Sequence, residues 1–245
     1  LKKGAKGIEE FLQNIWKKIA DWFAENKKLF KKIEEFTSEE LDWMSSRKIG
    51  NLGGKILKSS QIRKLRGILK QKGIFLIVEG DKKAITKFFK PIDDFKSIDD
   101  LFSAMKFEGF PGAFNAVSKQ FYLSKNATEI VAFHEMAHLK HFDEVGDIYF
   151  SLSKLEKESY VWEQILANRN RWTKAELKDA LRFLRDCFEE KAIELKDVLK
   201  MGRTQLQDAV PMTLGQEFKT FAVMINDDII RLKNVQALLK KVNLG

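Results

Sequence analysis

A chain of 245 residues with 44 Lys+Arg against 35 Asp+Glu is long enough to bury a real core, and its formal net charge is +9. A single cysteine excludes an internally stapled mini-fold, no apolar run approaches the roughly 20 residues needed to span a bilayer, and 14 Gly with 3 Pro are too few for a collagen-like or low-complexity chain. What remains is a globular, helix-leaning protein. Its first residue is Leu1 and it stops at Gly245 without a finishing element, so it reads as a fragment.

Residues 8–36 read as one or two amphipathic helices. Ile8, Phe11, Leu12, Ile15, Trp16, Ile19, Trp22 and Phe23 recur at i, i+3, i+4 and i+7, which stacks them on one face. The opposite face mixes acids with lysines, which favours docking on a neighbouring domain over lying on a membrane. The charge excess sits in residues 47–96, with fourteen basic and four acidic side chains, and the rest of the chain is close to neutral. Without an accompanying nucleic-acid motif, this segment reads as a solvated Lys-rich face, and no nucleic-acid partner is expected.

Asn51 to Gly54 forms a loop. Gln61 to Lys72 is a helix with Ile62, Leu65, Ile68 and Leu69 inward and Gly73 ending it, and Ile74 to Val78 follows as a short buried strand. Helix then strand implies an α+β domain beginning near residue 47. Gly109, Pro111 and Gly112 mark a loop. Two strands, 113–117 and 120–123, then form a hairpin turning at Ser118-Lys119. Asn126 is placed to cap the next helix, with Glu129 closing a capping box. Beyond residue 127 the pattern is helical almost throughout, and Ala175 to Lys200 and Leu214 to Lys241 read as two helices around a polar turn.

All three histidines fall in Phe133-His134-Glu135-Met136-Ala137-His138-Leu139-Lys140-His141. This is H-E-x-x-H on a helix, and the i, i+4 spacing puts both imidazoles on one face within reach of one ion. Zinc takes neutral imidazole nitrogen and needs a third protein ligand plus an open position for water. Glu135, on the edge of that face, is placed to take a proton from such a water. His141 lies too far along the axis to share the ion and is expected to be solvated or to support the ligands.

The preceding hairpin resembles the edge strand of zinc peptidases. Glu158, twenty residues after His138, matches the offset at which thermolysin-like peptidases return a glutamate to the metal; Glu156 and Glu163 compete for that role. Gly54 to Leu57, Gln61 to Leu65, the hairpin, His134 to His138 and Tyr160 to Leu166 together resemble the zincin-like metallopeptidase toxin domains of bacterial polymorphic toxins. The resemblance covers about half the chain. It implies a gluzincin-like zinc metallopeptidase effector, with Zn2+ held by His134, His138 and Glu158 and with Glu135 as general base; Tyr149 and Tyr160, close by in the sequence, are the candidates to stabilise the oxyanion. It also implies a peptide or protein substrate, a cognate immunity protein, and secretion or delivery into a target cell by a larger protein whose tail is residues 1–46.

The stretch Lys200-Met201-Gly202-Arg203-Thr204-Gln205-Leu206-Gln207-Asp208-Ala209-Val210-Pro211-Met212-Thr213-Leu214-Gly215-Gln216-Glu217-Phe218 resembles aspartate ammonia-lyase of the aspartase/fumarase superfamily, and the likeness runs from about Leu181 to Gly245. It implies that Thr204 and Gln205 bind a substrate carboxylate and that long helices associate between copies. The serine-bearing loop that supplies that family's base has no counterpart here, so this segment is expected to be chemically inert, a fusion or an artefactual join. The expected architecture is therefore α+β in three parts. Residues 1–46 are an amphipathic carrier tail. Residues 47–180 are a zincin-like metallopeptidase domain with a small sheet and an H-E-x-x-H active-site helix. Residues 181–245 are a partial aspartase/fumarase-like helical segment.

Overall fold

A computed structural model describes residues 48–50, 52–92, 95–204 and 207–239, all within the unit Thr37–Gly245. The amphipathic helices expected over 8–36 lie outside the described residues. Lys48–Ile49 (β1) and Lys55–Ile56 (β2) pair antiparallel around the expected loop.

Helix α1 (Ser59–Gln71) buries Gln61, Leu65 and Leu69, one residue per turn on a single face. Leu65 and Leu69 are fully inaccessible, each worth about 1.5–3 kcal/mol of burial. The helix stops before Gly73, whose φ of 73° is the left-handed conformation that favours glycine. Phe75–Val78 (β3) then enters a three-stranded sheet in the order β3-β5-β4. Two helices the periodicity did not announce follow. Lys82–Phe88 (α2) is capped by the Asp81 side chain accepting from Ala84 N–H at 3.1 Å, and Ile98–Glu108 (α3) is capped by Ser97.

Gly112–Asn115 (β4) and Gln120–Leu123 (β5) form the expected hairpin, with β5 also parallel to β3. The first strand is shorter than expected. Asn115 Oδ1 accepts from Ser118 N–H at 2.8 Å, so the side chain closes the turn two residues early and leaves Val117 exposed. Strand β5 is central and buried along its whole length, as a residue flanked on both sides must be.

Helix α4 (Glu129–Val145) begins two residues later than Asn126 would start it, because Thr128, not Asn126, occupies the cap position. Leu57 N–H donates to Ala127 O at 3.0 Å and Ile56 bridges Thr128, so pairing with β2 holds the segment extended. Glu129 accordingly accepts from the buried Gln61 amide at 2.9 Å instead of closing a capping box. After a single turn, Ile148–Ser151 (α5), comes α6 (Lys154–Ala167), where Ser153 and Glu156 do form a reciprocal capping box. A 3-10 turn at Arg169–Arg171 leads into α7 (Lys174–Glu194), started by a second capping box between Thr173 and Glu176. This 21-residue helix runs uninterrupted through the boundary expected between residues 180 and 181.

The polar turn expected between two terminal helices is instead an antiparallel hairpin of Leu199–Thr204 (β6) and Gln207–Thr213 (β7). Pro211 sits opposite Met201, which a two-stranded ribbon tolerates because each strand has an open edge that needs no N–H. A side chain at Gly202 would meet Val210 O at 2.9 Å, and the register shifts beside it. Helix α8 (Leu214–Leu239) packs back on α7, with the Phe188 ring 6.1 Å from Phe218 and 5.7 Å from Phe221; Phe188, Phe218, Ala222 and Ile225 are buried. Among the described residues no helix is long and apolar enough to cross a membrane.

Candidate functional site

The helical spacing that put His134 and His138 on one face of α4 brings their Nε2 atoms to 3.2 Å. Helix α6 crosses this face and supplies Glu158: one carboxylate oxygen lies 3.3 Å from His134 Nε2 and the other 3.3 Å from His138 Nε2. The three residues each offer one ligand atom within 4.8 Å of the others. Glu156 is not among them, because its carboxylate is spent on Ser153 N–H at 2.7 Å and Ser153 Oγ–H at 2.6 Å, closing the α6 cap. Glu163 is partly buried elsewhere on the helix, and that burial pushes its carboxyl up to about 7.

Burial would lower the His134 pKa, but the hydrogen bond and negative charge of Glu158, followed by the charge of Glu135, outweigh it and raise it to about 9. Glu158 responds in the opposite sense. Its burial favours the neutral acid, yet the charge of His138 and the hydrogen bond and charge of His134 hold it well below the usual carboxylate range. Glu135 is raised, first by desolvation, with the two histidines pulling the other way. It packs against the backbone of β4, where a side chain on Gly112 would come 3.0 Å from its Cγ, and it accepts a hydrogen bond from Phe114 N–H.

His141 is not solvated. It is 1% exposed, stacked on Tyr160 at 4.1 Å with an interplanar angle of 6°, and edge-on to Tyr149. Burial, then the charges of His138 and Lys157, lower its pKa to about 4. The Tyr160 hydroxyl donates to Glu144 at 2.9 Å, whereas Tyr149 OH lies 3.3 Å from His138 Nδ1, on the far side of the ring from the cluster. A cavity of about 810 Å³ opens on the cluster and is lined there by Gly112, His134, Glu135, Glu158, Val161 and Phe183. Sequence reasoning missed Phe183, which sits 6.2 Å from the His134 ring and reaches the cavity from α7. No local pattern marks it, since only the return of α7 across α6 brings it there. Gly112 carried a faint mark as a glycine in a loop that proved to be strand.

Thr204, the first of the two carboxylate-binding candidates, ends β6, and Gln205 lies outside the described residues. In the basic segment, Arg66 pairs with Asp81 and Lys72 with Asp143, each at 2.6 Å.

A family model described as Lyase matches residues 122–245. Aspartate ammonia-lyase of Escherichia coli (strain K12) is 55% identical over 69 residues, which are 28% of this chain and 14% of that protein. The Helicobacter pylori (strain ATCC 700392 / 26695) aspartate ammonia-lyase is 36% identical over 124 residues, 51% of this chain and 24% of that one. The crystal structure of fumarate lyase:delta crystallin from Brucella melitensis in native form is 37% identical, covering 47% of this chain and 28% of that chain, with a TM-score of 0.26. The chain thus spans between a seventh and a quarter of the length of these two curated relatives.

These matches overturn the zincin-like expectation. The matched range begins at residue 122 and contains the H-E-x-x-H helix itself, so the α+β metallopeptidase domain gives way to a lyase-family chain, mostly helical with a few short strands. The expected zinc metallopeptidase activity and polymorphic-toxin role fall with it, as do the peptide substrate and the immunity protein. The physical reason is that H-E-x-x-H fixes only that two imidazoles share a helix face. An acid on a crossing helix completes the triangle in any fold, and neither feature dictates a reaction.

Proposed function

This chain belongs to the lyase family, and we propose that its C-terminal part contributes the carboxylate-binding turn of an aspartate ammonia-lyase-type site. The reaction eliminates ammonia from aspartate: the C–N bond and a C–H bond on the neighbouring carbon break, a C=C bond forms, and fumarate is released. Such a site must hold two carboxylates and stabilise the negative charge that builds as the proton leaves. A threonine hydroxyl and a glutamine amide, both hydrogen-bond donors, suit that demand, and Thr204 and Gln205 are the residues assigned to it. The observation that carries the reading is the 55% identity to aspartate ammonia-lyase over 69 residues. Further copies of the chain are the proposed partners, associating through α7 and α8, where Ile193, Val223 and Ile230 are exposed.

The test is calorimetric titration of the full chain with aspartate and with fumarate, alongside ultraviolet detection of fumarate formed from aspartate. Dicarboxylate binding is expected, weakened about tenfold in Thr204→Val, the cost of one hydrogen bond to a charged group. No binding of either dicarboxylate, together with no fumarate formed, overturns the assignment.

A further inference from the structure

We propose that His134, His138 and Glu158 form a binding site for one divalent transition-metal cation, best matched by zinc, with one coordination position facing the cavity. The donor set is two imidazole nitrogens and one carboxylate, which suits zinc and not the all-oxygen preference of calcium or magnesium. The spacing fits as well. Ligands about 2.0–2.1 Å from a tetrahedral zinc stand about 3.3 Å from one another. The imidazole nitrogens are 3.2 Å apart, and each is 3.3 Å from a Glu158 oxygen.

The surroundings carry the same message. Glu158 Oε2 is buried and faces His134 Nε2 at 3.3 Å, so a buried carboxylate oxygen is held against an imidazole nitrogen where a cation would be shared. Tyr149 OH stands 3.3 Å from His138 Nδ1. When the Nδ1–H donates to that oxygen, the His138 tautomer is the one whose Nε2 lone pair faces the cluster, the outer support that metal-bound histidines ordinarily have. The ligands come from two helices, α4 and α6, so the cation would tie them together. Its open position meets the side of the cavity where Glu135 and Phe183 lie, which leaves room for a water or a small anionic ligand. This site is independent of the dicarboxylate turn proposed above, and each can fail without the other.

The experiment uses the full chain, stripped with chelator, confirmed as folded by circular dichroism, and titrated with zinc chloride against a chromophoric chelator. About one zinc per chain is expected, and cobalt in its place should give the intense visible bands of a four-coordinate site. His138→Ala should weaken zinc binding at least hundredfold. Tyr149→Phe, which keeps the ring and all three ligands, should weaken it about tenfold as the loss of an outer-sphere partner. Should the folded wild-type chain take up no stoichiometric zinc, or should folded His138→Ala bind as tightly as wild type, the site does not exist as drawn. Unchanged affinity in Tyr149→Phe would overturn the tautomer assignment.

Discussion

Replacing His141 by phenylalanine should make the protein less sensitive to mild acid. In the unfolded chain this imidazole takes up a proton near 6.5, whereas in the fold it does so only near 4. Three elements impose that difference: His138 on its own helix, Tyr149 on α5, and Tyr160 with Lys157 on α6. Between those two values the unfolded state binds more protons than the native state, so stability present above 6.5 is lost as the pH falls towards 4. From neutrality to about pH 5 the loss assignable to this one group is about 2 kcal/mol. Phenylalanine retains a flat ring against Tyr160 and removes the titration. It also removes Nδ1, a buried nitrogen without a hydrogen-bond partner, whose desolvation costs about 1–3 kcal/mol. Urea unfolding of both proteins at the two pH values, with chelator present, measures the difference. The variant should be at least as stable as wild type at neutral pH and lose about 2 kcal/mol less on acidification. Equal losses in the two proteins would mean that His141 titrates normally and that the stacked, desolvated environment is wrong.

Two further outcomes are expected. A methyl group at Gly54 would collide with the Glu176 carboxylate, which also closes the cap of α7, so Gly54→Ala should destabilise the chain by about 1–3 kcal/mol in the same unfolding assay; a change within a few tenths would show that the β2 approach to α7 is loose. Burial pushes the Cys187 thiol up to about 12, so an aromatic disulfide reagent should label it only once denaturant is added, and prompt labelling of the native chain would contradict the burial of this face of α7.

The parts of this fold that were readable in advance are those in which one local rule acts alone. Leu65 and Leu69 announce α1 by period, Gly73 announces its end, and Ile74 to Val78 announce a short buried strand, seen at Phe75–Val78. The readings failed where a partner distant in sequence decides. Asn126 is a good cap, but β2 holds Ala127 and Thr128 extended and defers the helix to Glu129. Residues 199–213 carry no strand-like alternation that outweighs their polarity, and they become a hairpin because α8 folds back on α7 and closes the ends together. The histidine pair was legible from its spacing and the carboxylate from an offset. The reaction attached to them was not, because the most specific part of the zincin-like resemblance is a motif of five residues, while the longer stretch around it matches lyases.

The continuity of α7 has a practical consequence for anyone dividing this molecule. A cut after Ala180 leaves roughly two turns of helix, too short to persist in water by itself, and discards Leu181, Leu184, Cys187 and Phe188. The upstream remnant would present the uncovered flank of α6 and the mouth of the cavity without Phe183, and the downstream remnant would lose the Thr173 start of its own first helix. A cut within Lys174–Glu194 therefore deprives both pieces of part of the same helix.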